Sequence, residues 1–220
     1  VIYDISPVIS TRMNVWPGDT PVSRNVVCDM GKGANITLSS VTATLHLGAH
    51  ADGPNHYSHP AAGVGERSLA YFIGSCQVID APVKRGTRVR VEDLVLPKGL
   101  LAPRVLIRTE TFPDFEAWNE DFAGLSPGLV DFLADSKVSA GDPSVASSGV
   151  VTIGVDTPSV DLQESKDLPA HKAIARRDMQ ILEGLALKGV PAGVYELIAL
   201  PLRMVGWDAS PVRAVLRTVQ

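Results

Sequence analysis

Residues 45–57 read LHLGAHADGPNHY, and the rest of the chain is organised around them. Three of the five histidines, His46, His50 and His56, lie in this run with Asp52 among them, and His59 follows just outside. The candidate ligands at 46, 50, 52 and 56 all fall on even positions. On an extended strand, residues two apart point to the same side. His46 and His50 are therefore expected to face one way, with Asp52 joining them where the strand ends. Gly53 and Pro54 break regular structure, so His56 is expected from a loop. Imidazole nitrogen with carboxylate oxygen is the donor set of zinc or a similar first-row divalent ion. A lone His-x-x-x-His would say little. His-x-Gly-x-His-x-Asp-x-Pro-x-His is far more specific.

Upstream, Ile36–Leu47 is rich in Thr, Val and Leu with partial alternation. It reads as a strand that delivers the cluster at its C-terminal end. Arg104–Thr109 is apolar enough to be a central strand. Gln77–Asp80, Val150–Val155, Val194–Leu200 and Val212–Thr218 read as further strands, and Ile2–Ile5 as a short one. Ser126-Pro127 opens a helix that runs to about Ala134, with Ser as N-cap and Pro in the first helical position. Ser68–Ile73 and Val91–Leu94 read as helical turns. Residues 138–148, small and polar with Gly and Pro, read as a mobile excursion. Eight to ten strands with three or four helices or turns, no repeat and no G-x-G-x-x-G give an α/β chain. It is expected to be a single domain over residues 1–220 with a strand-rich mixed sheet core and a few peripheral helices.

Pro169 and the following AHKAIARRD read as the start of a helix. Continued to Glu183, it would place His171 and Glu183 about 18 Å apart, too far for one metal centre. MQILEGLAL is short, apolar and interrupted by Gly184, which suits a strand after a helix that stops near Asp178. On pattern alone His171 is a helix-surface histidine and Glu183 a strand-face carboxylate in water.

Composition narrows the partners. The chain has 220 residues, 45% hydrophobic and 20% charged, with a net charge of −4 and a pI of about 5.7. No Lys/Arg stripe forms, which argues against nucleic acid and anionic membrane. No apolar run reaches the ~20 residues that span a bilayer. The opening VIYDISPVIS does not read as a signal peptide. Cys28 and Cys76 stand apart with no C-x-x-C, and read as buried thiols of a cytoplasmic protein.

The serines have no His partner in a recognisable motif, and four of the five histidines are bunched at 46–59, so a Ser-His-Asp hydrolase is not expected. A metal-activated water is the natural nucleophile. His56 is the candidate general acid/base, with His59 as runner-up. Trp16 sits in the Trp16-Pro17-Gly18-Asp19 turn, where a tryptophan is more often a lid over local core than a ligand contact. Phe112, Phe115, Trp118 and Phe122 read as a satellite hydrophobic cluster, and Asp156 as a capping residue at a strand end.

The signature run, Trp16-Pro17-Gly18-Asp19, Asp156-Thr157-Pro158-Ser159, His171 to Gly184 and Tyr195 to Arg217 together resemble the metal-dependent cyclase-type hydrolases. Ala49, where many members carry Thr, is similar to the formamidase branch. The resemblance spans nearly the whole chain. It implies the swivelling β/β/α fold, a homodimer, and two zinc ions per subunit, with manganese or another divalent ion as the alternative. It implies His46, His50 and Asp52 on the first ion, His171 on the second, and Asp52 and Glu183 bridging both. It places Trp16 against the substrate ring. The activity implied is hydrolysis of N-formyl-L-kynurenine to L-kynurenine and formate, in tryptophan catabolism. An isatin hydrolase or other cyclic-amide hydrolase is the alternative, and a metal-binding protein without catalysis a further one.

Overall fold

The structure, a computed structural model, describes residues 1–139 and 149–219. Most of the expected excursion at 138–148 lies outside them. In chain order the strands are β1 (Ile2–Asp4), β2 (Ser23–Cys28), β3 (Leu38–Thr42), β4 (His50–Asp52), β5 (Ile73–Asp80), β6 (Arg88–Val89), β7 (Arg104–Arg108), β8 (Gly124–Leu125), β9 (Thr152–Val155), β10 (Gln180–Glu183), β11 (Gly193–Ile198), β12 (Ala209–Pro211) and β13 (Val215–Thr218). The α-helices are α1 (Pro127–Asp135) and α2 (Pro169–Arg176). Neither is long and apolar enough to cross a membrane.

Nine strands build one mixed sheet in the order β1-β13-β11-β5-β7-β9-β10-β4-β12. The central β5, β7, β9 and β10 run parallel, and the margins are antiparallel. Parallel strands need both faces covered, and these alternate between two apolar layers. Ile79, Val105, Ile107, Ile153, Val155 and Ile181 belong to the layer under the helices, with Leu129, Leu133 and Ile174. Val78, Leu106, Leu182, Leu197 and Leu216 belong to the other layer. Burying each such side chain contributes about 1.5–3 kcal/mol. As its composition indicates, β7 is the middle strand of the nine.

Helix α1 starts as expected, with the Ser126 hydroxyl accepting from the Leu129 N–H at 3.2 Å. Helix α2 stops at Arg176, and Asp178 takes a left-handed φ of 49° that reverses the chain into β10. Arg67 (2.7 Å) and the Tyr71 hydroxyl (3.1 Å) hold the Asp178 carboxylate. The turn that brings Glu183 back beside His171 is therefore clamped by side chains.

The expected strand Ile36–Leu47 is corrected. Only Leu38–Thr42 is strand, and it pairs with β2 in a separate two-stranded ribbon. Residues 43–49 are irregular. The Thr44 hydroxyl accepts from the His46 N–H, and Gly48 adopts a left-handed φ of 54°, which breaks the extended path. His46 and His50 therefore do not share a strand. Strands β2 and β12 carry weak signals: β2 is exposed almost throughout, and β12 is a short edge strand ending in Pro211. Cys76 is buried as expected, but Cys28 is only half-buried.

Two glycines fix a backbone crossing beside the site. Gly184 has φ 63°, and a Cβ there would collide with the Gly48 carbonyl oxygen. Only a residue without a side chain lets the 43–49 loop lie over the end of β10.

Candidate metal centre

The antiparallel register sets Glu183 opposite His50, and β12 pairs Ala209 with Asp52. Alternation puts Ala51 into the apolar layer away from the helices, so His50 and Asp52 point toward α2. His171, on the first turn of α2, meets them there. His46 arrives from the irregular loop, and His56 from a 3-10 turn at Pro54–His56 that starts with proline. The structure thus brings together His46, His50, Asp52, His56, His171 and Glu183.

The two carboxylates divide their oxygens. Asp52 Oδ1 lies 3.1 Å from His46 Nδ1 and 3.5 Å from His50 Nε2. Glu183 Oε2 lies 3.3 Å from His50 Nε2. The other oxygens, Asp52 Oδ2 and Glu183 Oε1, lie 3.7 and 3.8 Å from His171 Nε2. The carboxylate oxygens nearest His46 and His50 therefore differ from those nearest His171, and the donor atoms of His50, Asp52 and Glu183 lie within 4.8 Å of one another, as do those of His46, Asp52 and His56.

Each of these three imidazoles has its outer nitrogen on an acceptor. His50 Nδ1 donates to Gly48 O at 2.9 Å, His171 Nδ1 to Asp161 Oδ2 at 2.9 Å, and His46 Nε2 to Asp208 Oδ2 at 3.2 Å. With the outer proton fixed there, the inner nitrogen is the one that would be offered to an ion, as in carboxylate–histidine–metal arrangements.

Whether a cation fits is decided by the buried polar atoms. Asp52 is completely buried, and neither of its carboxylate oxygens has a hydrogen-bond partner among the described residues, nor does His50 Nε2. Leaving such groups unsatisfied is costly, and a divalent ion with a nitrogen–oxygen donor set satisfies all three atoms together. Burial alone would raise the Asp52 pKa, but His171, His46 and His50 outweigh it and hold the carboxyl well below its usual range. Burial would lower the His50 and His171 pKa values, yet the neighbouring carboxylates raise each to about 10 without an ion.

His56 differs. Its Nδ1 is 4.0 Å from Asp208 Oδ2, and its side chain is 36% exposed. Burial, opposed by Asp52, keeps its pKa below 6.5. A ligating atom of His56 also lies within 4.8 Å of His46 and Asp52 donor atoms, close enough for a place on the ion. His59, the runner-up base, lies in the exposed turn expected for it.

Trp16 is half-buried and packs edge-on against Trp118 (5.6 Å) and Phe122 (6.1 Å). Phe112, Phe115, Trp118 and Phe122 form the expected satellite cluster, and Trp16 joins it. Asp156 is a capping residue, accepting from the Thr109 N–H and hydroxyl and the Glu110 N–H.

Three supporting residues escape sequence reading. Asp161 accepts from the Ala170 and His171 N–H groups, from His171 Nδ1 and from Arg88, capping α2 and orienting its histidine together. The buried Gln180 amide donates to the Asp52 carbonyl at 2.7 Å. Asp208 holds His46. None lies in a motif with the residue it serves; only the folded sheet makes them neighbours.

The Cyclase family model matches residues 3–162, and the chain belongs to that family. A kynurenine formamidase of Bordetella pertussis is 42% identical over 216 residues, covering 98% of this chain and 97% of that one. Among solved structures, a potential metal-dependent hydrolase with cyclase activity superposes with a TM-score of 0.79 at 24% identity, covering 98% of this chain and 96% of that one. Isatin hydrolase A from Labrenzia aggregata, bound to benzyl benzoate, gives 0.77 at 19%, covering 98% and 93%. The last two likenesses establish the fold.

Proposed function

We propose that this chain hydrolyses N-formyl-L-kynurenine to L-kynurenine and formate, a step of tryptophan catabolism, using two divalent ions, zinc before manganese. The observation that carries this reading is the division of the Asp52 and Glu183 oxygens between two groups of imidazoles. The 42% identity to a kynurenine formamidase supports the substrate. His46, His50, Asp52 and Glu183 would hold one ion, and His171 with the same two carboxylates the other. When bound, such ions polarise a carbonyl and lower the pKa of water toward ~7.

His56 accepts a proton from the attacking water and returns it to the aniline nitrogen as the formyl C–N bond breaks. An aniline leaves poorly as an anion, so this delivery governs the step. His56 suits the role because it lies beside the candidate ligands with its side chain 36% exposed, and burial holds its pKa below 6.5, leaving it neutral at pH 7. Trp16 offers an apolar ring face to the aryl group, steadied from its edge by Trp118 and Phe122.

A homodimer is the proposed assembly. The β2–β3 ribbon leaves Val26, Val27, Leu38 and Val41 exposed, and a two-stranded ribbon alone is marginal in water. The cytoplasm is the proposed compartment, since Cys28 and Cys76 are free thiols. The test is metal content measured together with turnover. Zinc-loaded protein should hydrolyse N-formyl-L-kynurenine, and opening of isatin in its place would overturn the reading.

A further inference from the structure

Asp208 lies far in sequence from the signature run, immediately before β12. One of its oxygens, Oδ2, is 3.2 Å from His46 Nε2 and 4.0 Å from His56 Nδ1. The rings of His46 and His56 lie 4.2 Å apart, tilted at 44°. One carboxylate oxygen therefore faces a candidate ligand and the candidate base together.

The backbone around Asp208 is pinned to the segment that carries His56. Gly53 N–H donates to the Asp208 carbonyl at 2.6 Å, and Val64 N–H to the Trp207 carbonyl at 2.9 Å. These bonds bracket Pro54–His56 from both sides, so the carboxylate and the imidazole are held in one frame. The side chain is 50% exposed and serves no helix cap or strand pairing.

We propose that Asp208 is a positioning residue. It fixes the His46 tautomer that offers Nδ1 to the ion, and it steadies the His56 ring for proton transfer. The first role follows from geometry. His46 Nδ1 already faces Asp52 Oδ1 at 3.1 Å. Only an acceptor at Nε2 keeps the ring proton away from the nitrogen that must bind. A neutral imidazole without that acceptor divides its proton between the two nitrogens. The second role rests on the function proposed above; the first does not.

The experiment uses the full chain with Asp208→Ala and Asp208→Asn, since Asn keeps a carbonyl acceptor for His46 and guards against a folding defect in the Ala variant. Zinc affinity is measured by competition with a chelator, without substrate. Asp208→Ala should bind zinc about 10–100-fold more weakly, the usual consequence of removing a ligand's outer partner, with Asp208→Asn between it and wild type. Unchanged zinc affinity in Asp208→Ala overturns the His46 role. At saturating zinc, kcat of Asp208→Ala should stay about tenfold or more below wild type with KM little changed, as for other losses of proton-transfer help. Full kcat at saturating zinc overturns the His56 role. If wild type itself leaves N-formyl-L-kynurenine intact, the substrate reading fails and the zinc measurement still decides the first role.

Discussion

Glu183 stands directly across the antiparallel ladder from His50, and its Oε2 lies 3.3 Å from His50 Nε2. A carboxylate and an imidazole paired in this way, both buried, are a candidate ligand pair fixed by strand register. A one-residue slip of β10 against β4 would turn Glu183 into the opposite apolar layer.

Removing a ligand should remove metal. His50→Ala and Asp52→Ala should lose bound ion and activity together. Asp52→Ala should be the more severe, because its two oxygens face both groups of imidazoles. Elemental analysis of the purified variants checks this, and a full metal complement in Asp52→Ala would sink the ligand assignment.

His56→Ala should keep its metal and lose about 10²–10⁴-fold in kcat. The wild-type pH profile carries the same information. A base must be neutral, and burial holds the His56 pKa below 6.5. Activity should be present above that midpoint and fall as pH drops through it. Stoichiometric loss of an ion from His56→Ala would make His56 a ligand instead.

Trp16→Ala should slow turnover of the aryl substrate by about two- to tenfold more than that of a small aliphatic formamide, the equivalent of an aromatic pairing of ~0.5–1.5 kcal/mol. Because Trp16 also packs on Trp118 and Phe122, only the ratio between the two substrates is diagnostic. Equal losses would place Trp16 in the aromatic cluster alone.

Metal affinity should tighten with pH. Without an ion, His50 and His171 hold their protons up to about pH 10, and Nε2 must give one up to bind. Affinity should rise by about tenfold per pH unit for each proton released. The sign reverses for the metal-free fold. Raised imidazole pKa values stabilise it fully below about 6.5, and that contribution is lost as pH rises through 10. Chelator-treated protein should melt at lower temperature at pH 10 than at pH 6.5. Proton release on zinc addition, followed calorimetrically in two buffers, tests the first half.

Gly184→Ala should cost stability and metal affinity together. It forces a side chain to φ 63° and against the Gly48 carbonyl, a strain of about 1–3 kcal/mol. That carbonyl is the acceptor for His50 Nδ1. A variant with wild-type zinc affinity would show that the crossing does not orient His50.

The fold was legible where side chains carry the signal. Apolar VLIR marked the centre of the sheet, Ser126-Pro127 the start of α1, and Gly184 after an apolar run the return of the chain past Asp178. Strands β2 and β12 were not legible, because exposed or short edge strands lack the alternation that burial imposes, whereas β3 lay inside the strand read at Ile36–Leu47. The candidate site was legible at 46–56, where candidate ligands crowd into one run, although His46 reaches it by a bend that parity could not show. His171 and Glu183 were readable only by resemblance. Asp161, Asp208 and Gln180 were hidden because each serves a residue that only sheet register brings near.

The β10–β4 pairing also orders events in time. Its partners come from the first and last thirds of the chain, so the candidate ligand set is complete only once β10 has paired with β4. Such distant contacts are the slow ones to make. A metal ion held by these residues would therefore bind a largely finished fold rather than nucleate it, in contrast to small domains that are unfolded without metal. Its stabilising effect would be that of a ligand, growing with the logarithm of the free metal, and cells that withhold the metal should accumulate a folded, silent reserve of this chain.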